Sequence, residues 1–220
     1  MKLSGIRNNF VCFLVIIMLF AIACKSQKTG MAGKKTGKNM AWQLERDSLL
    51  KELEKLKGGE ETAYSNALKN SLKDALTGFN ADELNIEVRD GKVYVSMSDK
   101  LLFRSGSATV EDKGKNALRV LANVLEKNQQ VEILVEGHTD NLPIKTAVYK
   151  DNWDLSTARA ANIVRILSSD YKITASRLSA AGRGEYHPIA NNKTPEGRAK
   201  NRRTEIILSP KLDALYKILE

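Results

Sequence analysis

Apolar positions recur along this chain with periods that name its elements. Val131, Ile133 and Val135 fall at every second position, as in a strand with one face buried. They lead into the polar run Glu136-Gly137-His138-Thr139-Asp140-Asn141. Ile86 and Val88, then Val93, Val95 and Met97, repeat the alternation on either side of Asp90-Gly91, a type I′ hairpin signal. Leu101–Ala108 (LLFRSGSA) is an apolar knot running into a small-residue loop. Glu111 to Asn128 places Ala117, Leu118, Leu121, Ala122 and Leu125 on one helical face. A loop from Leu142 to Asp151 precedes Asn152–Ala160 (NWDLSTARA), which opens a helix extending from Leu155 to Asp170. Leu178 to Ala181 reads as a short strand stopped by Gly182 and Gly184. Thr194-Pro195 is an N-cap followed by proline at the first helical position, starting a short helix toward Arg203. Glu205 to Leu208 form a last strand ended by Pro210, and Lys211 to Leu219 pattern as a terminal helix. A hairpin followed by three helix–strand units predicts an α/β (α+β) two-layer sandwich, with one mixed sheet and helices packed on one face.

Upstream the pattern changes. Residues 41–57 carry Leu44, Leu49, Leu50, Leu53 and Leu56 among charged residues, with Leu49, Leu53 and Leu56 sharing a face. About two heptads is short for a stable coiled coil, so a monomeric spacer helix and an oligomerisation segment are equally open. Gly58-Gly59 is expected to stop this helix. A second helical pattern, Tyr64, Leu68, Leu72, Ala75, Leu76 and Phe79, is ended by Gly78 and is expected to pack on the domain that follows. Residues 25–40 hold five lysines, three glycines and no acid, which predicts a flexible basic tether.

The first residues speak to compartment. Lys2 and Arg7 precede an unbroken apolar run of 14 residues, Phe10 to Ala23. That is the length of a signal-peptide core and too short to span a bilayer comfortably, though a minimal membrane anchor is the alternative. The run ends Ala21-Ile22-Ala23-Cys24, which resembles the bacterial lipobox, where cleavage precedes a cysteine that receives lipid. Cys12 would leave with the leader and Cys24 would be acylated, so no thiol remains for disulfides or metal. Several acyl chains on one residue would make attachment durable, since each buried methylene contributes about 0.8 kcal/mol. Lysine at position 25 favours the outer membrane by resemblance to lipoprotein sorting rules. The formal charge is +9, or +7 with 33 basic and 26 acidic residues once Lys2 and Arg7 are removed. A basic balance suggests an anionic partner. An export signal argues against nucleic acid.

Five segments carry a family resemblance: LLFRSGSA (Leu101–Ala108), VEGHTDN (Val135–Asn141), NWDLSTARA (Asn152–Ala160), RLSAAGRG (Arg177–Gly184) and TPEGRAKNRRTE (Thr194–Glu205). In order, they resemble the peptidoglycan-associating domain shared by outer-membrane protein A, the Pal lipoprotein and the flagellar stator protein MotB. The loop from Leu142, with its Leu-Pro-Ile start, resembles the MotB-like branch. The resemblance covers roughly residues 85–209. It implies a ligand, the stem peptide of peptidoglycan, usually through diaminopimelate, whose free end carries an ammonium and a carboxylate on one carbon. It also implies the roles: Asp140 takes the ammonium and Arg159 the carboxylate. A planar guanidinium fork suits a carboxylate. Asn141, Leu155 and Asn152 are the further pocket candidates, with Asn152 or Ser156 as the helix cap. Free N–H groups in the first turn of that helix would favour an anion. Arg104 stands where many relatives carry an acid.

Taken singly, an Asp at a strand end is often only a turn former, and a helical Arg is often a solvated surface group. Register with the other segments favours the binding roles. His138 and Asp140 lie two apart, but His187 is the one other histidine, and zinc ordinarily needs three or four ligands. A buried, hydrogen-bonded histidine is therefore expected, with no metal and no cofactor. Ser105, Ser107 and Ser156 lack a nucleophile-elbow context. Arg202 reads as a partner of the sheet or a secondary ligand contact.

The resulting layout is a signal peptide (1–23), tether (24–40), helical spacer (41–84), wall-binding domain (85–210) and tail (211–220). It predicts an outer-membrane lipoprotein facing the periplasm that joins membrane to cell wall and does no chemistry. The rival is a subunit of a secretion or motility assembly that contacts protein partners, or its own copies, through residues 41–79. A peptidoglycan-cleaving enzyme ranks last, for want of a convincing acid or metal-bound water.

Overall fold

A computed structural model describes residues 35–211. The expected leader, Cys24, the first part of the tether and the terminal helix lie outside the described residues. The chain divides into two units, Met1–Leu53 and Glu54–Glu220. One helix, α1 (Lys35–Ala75), runs through the boundary. It begins inside the stretch read as tether, and Gly58-Gly59 lies within it rather than ending it. Each glycine costs a helix roughly 1 kcal/mol relative to alanine, and strong helix formers flank this pair on both sides. In the first unit Trp42, Leu44, Leu49 and Leu50 are exposed. The side chains of Leu53 and Leu56 lie outside the described residues, so the expected leucine face is described only in part. Among the described residues no helix is long and apolar enough to cross a membrane.

In the second unit the end of α1 contributes Leu68, Leu72 and Leu76 to the core. The hairpin strands β1 (Leu84–Arg89) and β2 (Lys92–Ser98) follow, joined by Asp90 and Gly91, both at positive φ as a type I′ turn requires. A short helix α2 (Asp99–Leu102) is capped by Ser98, whose hydroxyl accepts from the Leu101 N–H. Then come α3 (Asp112–Lys127), β3 (Val131–His138), α4 (Asn152–Arg165, closed by a π turn at Ile166–Asp170), β4 (Leu178–Gly182), α5 (Pro195–Asn201) and β5 (Arg203–Pro210). Thr194 caps α5 as expected, accepting from the Gly197 N–H at 3.1 Å.

The five strands form one sheet in the order β1-β2-β5-β3-β4. Only the β3–β4 pair is parallel. Register puts Val95, Ile206 and Val135 in one row across the sheet and Ser96, Glu205 and Glu136 in the next. Alternation then sends the first row into the core, with Leu118, Leu121, Leu125, Ile163 and Leu167 of α3, α4 and the π turn. The second row faces away from it. The expected mixed α/β sandwich is the observed one.

Two glycines let α4 sit against the sheet ends. A Cβ built on Gly137 would lie 2.2 Å from the Ser156 carbonyl oxygen, and one on Gly182 would lie 2.1 Å from Thr157 Oγ1. Gly182 therefore closes β4 by admitting a helix as well as by ending a strand. Gly137→Ala is expected to lower stability by about 3 kcal/mol, because backbone must move to make room. Gly78→Ala, where nothing lies within 4 Å, serves as the near-neutral control. Urea denaturation midpoints of the two variants check this.

Candidate functional site

β3 delivers Thr139 and Asp140 to the mouth of a cleft of about 1280 Å³. The Thr139 N–H donates to the Gly184 carbonyl at 2.9 Å, fixing the strand end against the turn after β4. Asp140 is buried and uses both carboxylate oxygens. Oδ1 accepts from the Leu142 N–H at 3.0 Å, the turn-forming contact such an aspartate commonly makes. Oδ2 accepts from Arg202 Nη1 at 2.6 Å. The turn role and a charged role thus coexist on one side chain.

α4 brings Leu155 and Arg159 to the same cleft. Its cap is Asp151, neither Asn152 nor Ser156: Asp151 Oδ1 accepts from the Trp153 and Asp154 N–H groups at 2.9 and 3.0 Å. That carboxylate occupies N–H groups expected to be free for an anion. Asn152 has a different task. Its Nδ2 reaches the carbonyls of Asp140 (3.3 Å) and Leu142 (3.1 Å) and Glu185 Oε2 (2.7 Å), pinning the loop and lining the cleft. Ser156 accepts from the Gly184 N–H at 3.1 Å. Asn141 is exposed and is not among the residues lining the cleft.

Arg159 is almost wholly buried, at 3% exposure of its side chain, and does not stand free. Nη1 and Nη2 meet the two carboxylate oxygens of Asp99 at 2.9 and 3.1 Å, a fork-to-fork pair. Nε donates to the Ser107 carbonyl at 2.9 Å. The guanidinium carbon lies 4.9 Å from the centroid of the Phe103 ring. Burial pushes the Asp99 carboxyl above the usual carboxylate range, although Arg159 and Arg202 pull the other way. Burial likewise lowers Arg159, against the pull of Asp99.

Among the residues lining the cleft are two opposed pairs, Asp99 with Arg159 and Asp140 with Arg202. Their formal sum is zero. Sequence reasoning reached Asp140 and Arg159 and gave Arg202 two possible roles. It missed Asp99, because an acid just after a capping serine is indistinguishable from an ordinary first-turn residue. Arg104 is exposed and pairs at 2.5 Å with Glu111, which lines the cleft as do Phe103 and Ser105, although Arg104 itself does not. Arg177, in another of the resembling segments, is structural: its guanidinium donates to the carbonyls of Leu125, Asn128 and Val131.

His138 departs from expectation. It is buried, but neither ring nitrogen has a hydrogen-bond partner. It faces Glu136 and Glu205, and the three residues can bring ligand-type atoms within 4.8 Å of one another. Arg183 already holds Glu136 (2.9 Å from Nε) and Arg203 holds Glu205 (2.8 Å), so a cation there would meet two guanidinium groups. Burial, followed by the positive Arg203, lowers the His138 pKa to about 3. The unfolded chain takes up a proton near pH 6.5 that the folded chain refuses. Stability is thus complete above that value and is lost as pH falls toward 3. His138→Phe is expected to remove this component, flattening the urea midpoint between pH 6.5 and pH 4 relative to the parent.

Fold and cleft together define a two-layer α/β domain with a charge-lined groove at one sheet end. The OmpA family model matches residues 102–202. The outer-membrane lipoprotein YfiB of Pseudomonas aeruginosa is 30% identical over 145 residues, which cover 62% of this chain and 82% of that one. This chain belongs to the OmpA family. Motility protein B of Bacillus subtilis is 38% identical over 129 residues, 59% of this chain and 49% of its own length. The chain thus spans about half of that relative. The cell wall anchor of the T6SS from Pseudomonas aeruginosa superposes with a TM-score of 0.59 at 36% identity, covering 66% of this chain and 97% of that structure.

Proposed function

We propose that this protein binds peptidoglycan noncovalently through the cleft and holds the cell wall to the outer membrane, anchored by lipid on Cys24. The observation that carries the reading is the pair of opposed charges on Asp140 and Arg159 in one cleft, each neutralised by a residue of the chain itself. A stem residue with an ammonium and a carboxylate on one carbon is the complementary ligand. Its ammonium takes a share of Asp140 and its carboxylate a share of the guanidinium edge, while the cleft's net charge stays unchanged. A ligand with a carboxylate alone would leave Asp99 uncompensated in a poorly solvated place, at several kcal/mol. The family and its envelope-anchored relatives support the reading. The role is attachment, with no bond made or broken.

Purified mature protein is expected to co-sediment with cell-wall sacculi. Arg159→Ala is expected to weaken sedimentation at least about 30-fold, since truncating one partner of a buried charge pair costs roughly 2–5 kcal/mol, and Asp140→Ala to weaken it by less, because its partner Arg202 is half-exposed and water can solvate it. Arg159→Lys keeps the charge but loses the fork and is expected to fall between parent and alanine. Equal sedimentation by parent and by both alanine variants, with all folded by circular dichroism, sinks the clamp.

A second reading draws on the likeness to a motility protein and to a T6SS wall anchor. In it the domain localises a subunit of an envelope assembly, and residues 41–79 make the protein contacts. Trp42, Leu44 and Leu50 are exposed on α1 in that stretch. Light scattering of the mature chain distinguishes the two: a self-assembled species that Trp42→Ala and Leu50→Ala dissociate favours the assembly subunit.

A further inference from the structure

Two large aliphatic side chains line the cleft and yet stay mostly in solvent: Leu142, 56% exposed, and Ile189, 58% exposed. The Leu142 N–H is bonded to Asp140 itself. Ile189 belongs to the segment between β4 and α5 and touches neither charge pair through its backbone. A lone exposed isoleucine is ordinary. The backbone that carries this one is not.

Asn201, the last residue of α5, is wholly buried. Its Oδ1 accepts from the Ile189 and Ala190 N–H groups at 2.8 and 2.9 Å, and its Nδ2 donates to the Ala190 carbonyl at 2.9 Å and to Asn192 Oδ1 at 2.7 Å. A side-chain amide has two N–H donors and two lone pairs, so the whole capacity of Asn201 is committed to residues 189–192. The same segment is pressed against α5, where a Cβ built on Gly197 would lie 1.9 Å from the Asn191 carbonyl oxygen. On its other side Arg203 donates to the His187 carbonyl at 3.3 Å. Ile189 is thus set at the cleft on backbone that is already ordered. Burying its exposed area against an apolar group is favourable, and no loop has to be immobilised to gain it. Asn201 is not among the cleft-lining residues, so it acts only through what it holds.

The charges at the free end of the stem residue sit on a chain of methylenes that joins them to the peptide. We propose that Ile189 packs on that methylene chain as an affinity-determining contact, and that Asn201 is the positioning residue that holds Ile189 in place. This rests on the reading of the cleft as a stem-peptide site. The clamp reads the pair of charges, and Ile189 reads the length of aliphatic chain behind them.

The experiment compares two probes by calorimetry on the mature chain, diaminopimelate and diaminosuccinate. Both carry the same ammonium and carboxylate groups, but only the first has methylenes between its two charged ends. The parent is expected to bind diaminopimelate about 10-fold more tightly. Ile189→Ala is expected to bring that ratio to about two while leaving diaminosuccinate affinity unchanged, and Ile189→Leu to retain most of it. Asn201→Ala is expected to lower the ratio as Ile189→Ala does, and to lower it no further when added to Ile189→Ala, a result that general loosening of the fold would not give. Asn192→Ala, which removes one of the four contacts and leaves Asn201 in place, is expected to lower the ratio in part and carries the test should Asn201→Ala fail to fold. Asp140→Ala is expected to weaken both probes alike. A parent that binds both probes equally, or a ratio that survives Ile189→Ala, overturns the methylene contact and leaves the clamp standing. A ratio lost in Ile189→Ala but kept in Asn201→Ala and Asn192→Ala overturns the positioning role. A parent that binds neither probe overturns the clamp and the contact together.

Discussion

The close approach of α4 to the ends of β3 and β4 is the constraint on which the rest of the site depends. Gly137 and Gly182 have no side chain, so the backbone of Ser156 and the hydroxyl of Thr157 occupy the volume a Cβ would need. Helix residues three and seven positions past Asn152 then fall over the strand end. Leu155 and Arg159 reach the cleft that Asp140 enters from the sheet. The Ser156 hydroxyl accepts from the Gly184 N–H, and Gly184 in turn accepts from the Thr139 N–H next to Asp140. Helix, strand end and turn are locked through one short chain of contacts. A shift of the helix by the width of a methyl group would therefore be felt at both charges.

The charges themselves are arranged as two closed pairs rather than as an open clamp. Asp99 takes the fork of Arg159 while Phe103 lies under its plane, and Arg202 takes one oxygen of Asp140. Closing the pairs within the protein lowers the cost of burying Asp99, Arg159 and Asp140, while Arg202 stays half-exposed. It also changes what a ligand must offer. On the proposed reading, an incoming zwitterion would exchange with charges already satisfied rather than fill an empty one, so geometry and the presence of both signs on one small residue would decide the outcome.

Much of the architecture could be read from periodicity. The two-residue turn at Asp90-Gly91 and the cap at Thr194 are local chemistry, and local chemistry is what a sequence states directly. The helix through Gly58-Gly59 was not legible, since breaker residues weigh heavily in a short window while the structure sums propensity over a 41-residue helix. Asp151 as the cap of α4 was hidden among four residues within six, Asp151, Asn152, Asp154 and Ser156, each chemically able to cap. Asp99 was hidden for a different reason: its partner Arg159 lies 60 residues away, and no periodic signal connects an acid in one short helix with a base in another. The missing hydrogen bonds of His138 likewise depend on what β5 places opposite it, Arg203 in register across the ladder.

The position of β5 has a consequence for how the protein comes into being. It is the last strand made, yet it lies in the middle of the sheet, with the early hairpin on one edge and β3–β4 on the other. Until residues 203–210 have emerged, the two earlier pieces have no shared edge, and Arg202, directly before β5, cannot meet Asp140. Pairing so distant in sequence is slow to form, because loop closure must precede any gain. The keystone strand thus delays completion of the cleft: a partly emerged chain lacks the Arg202–Asp140 pair and acquires it only after that strand is through.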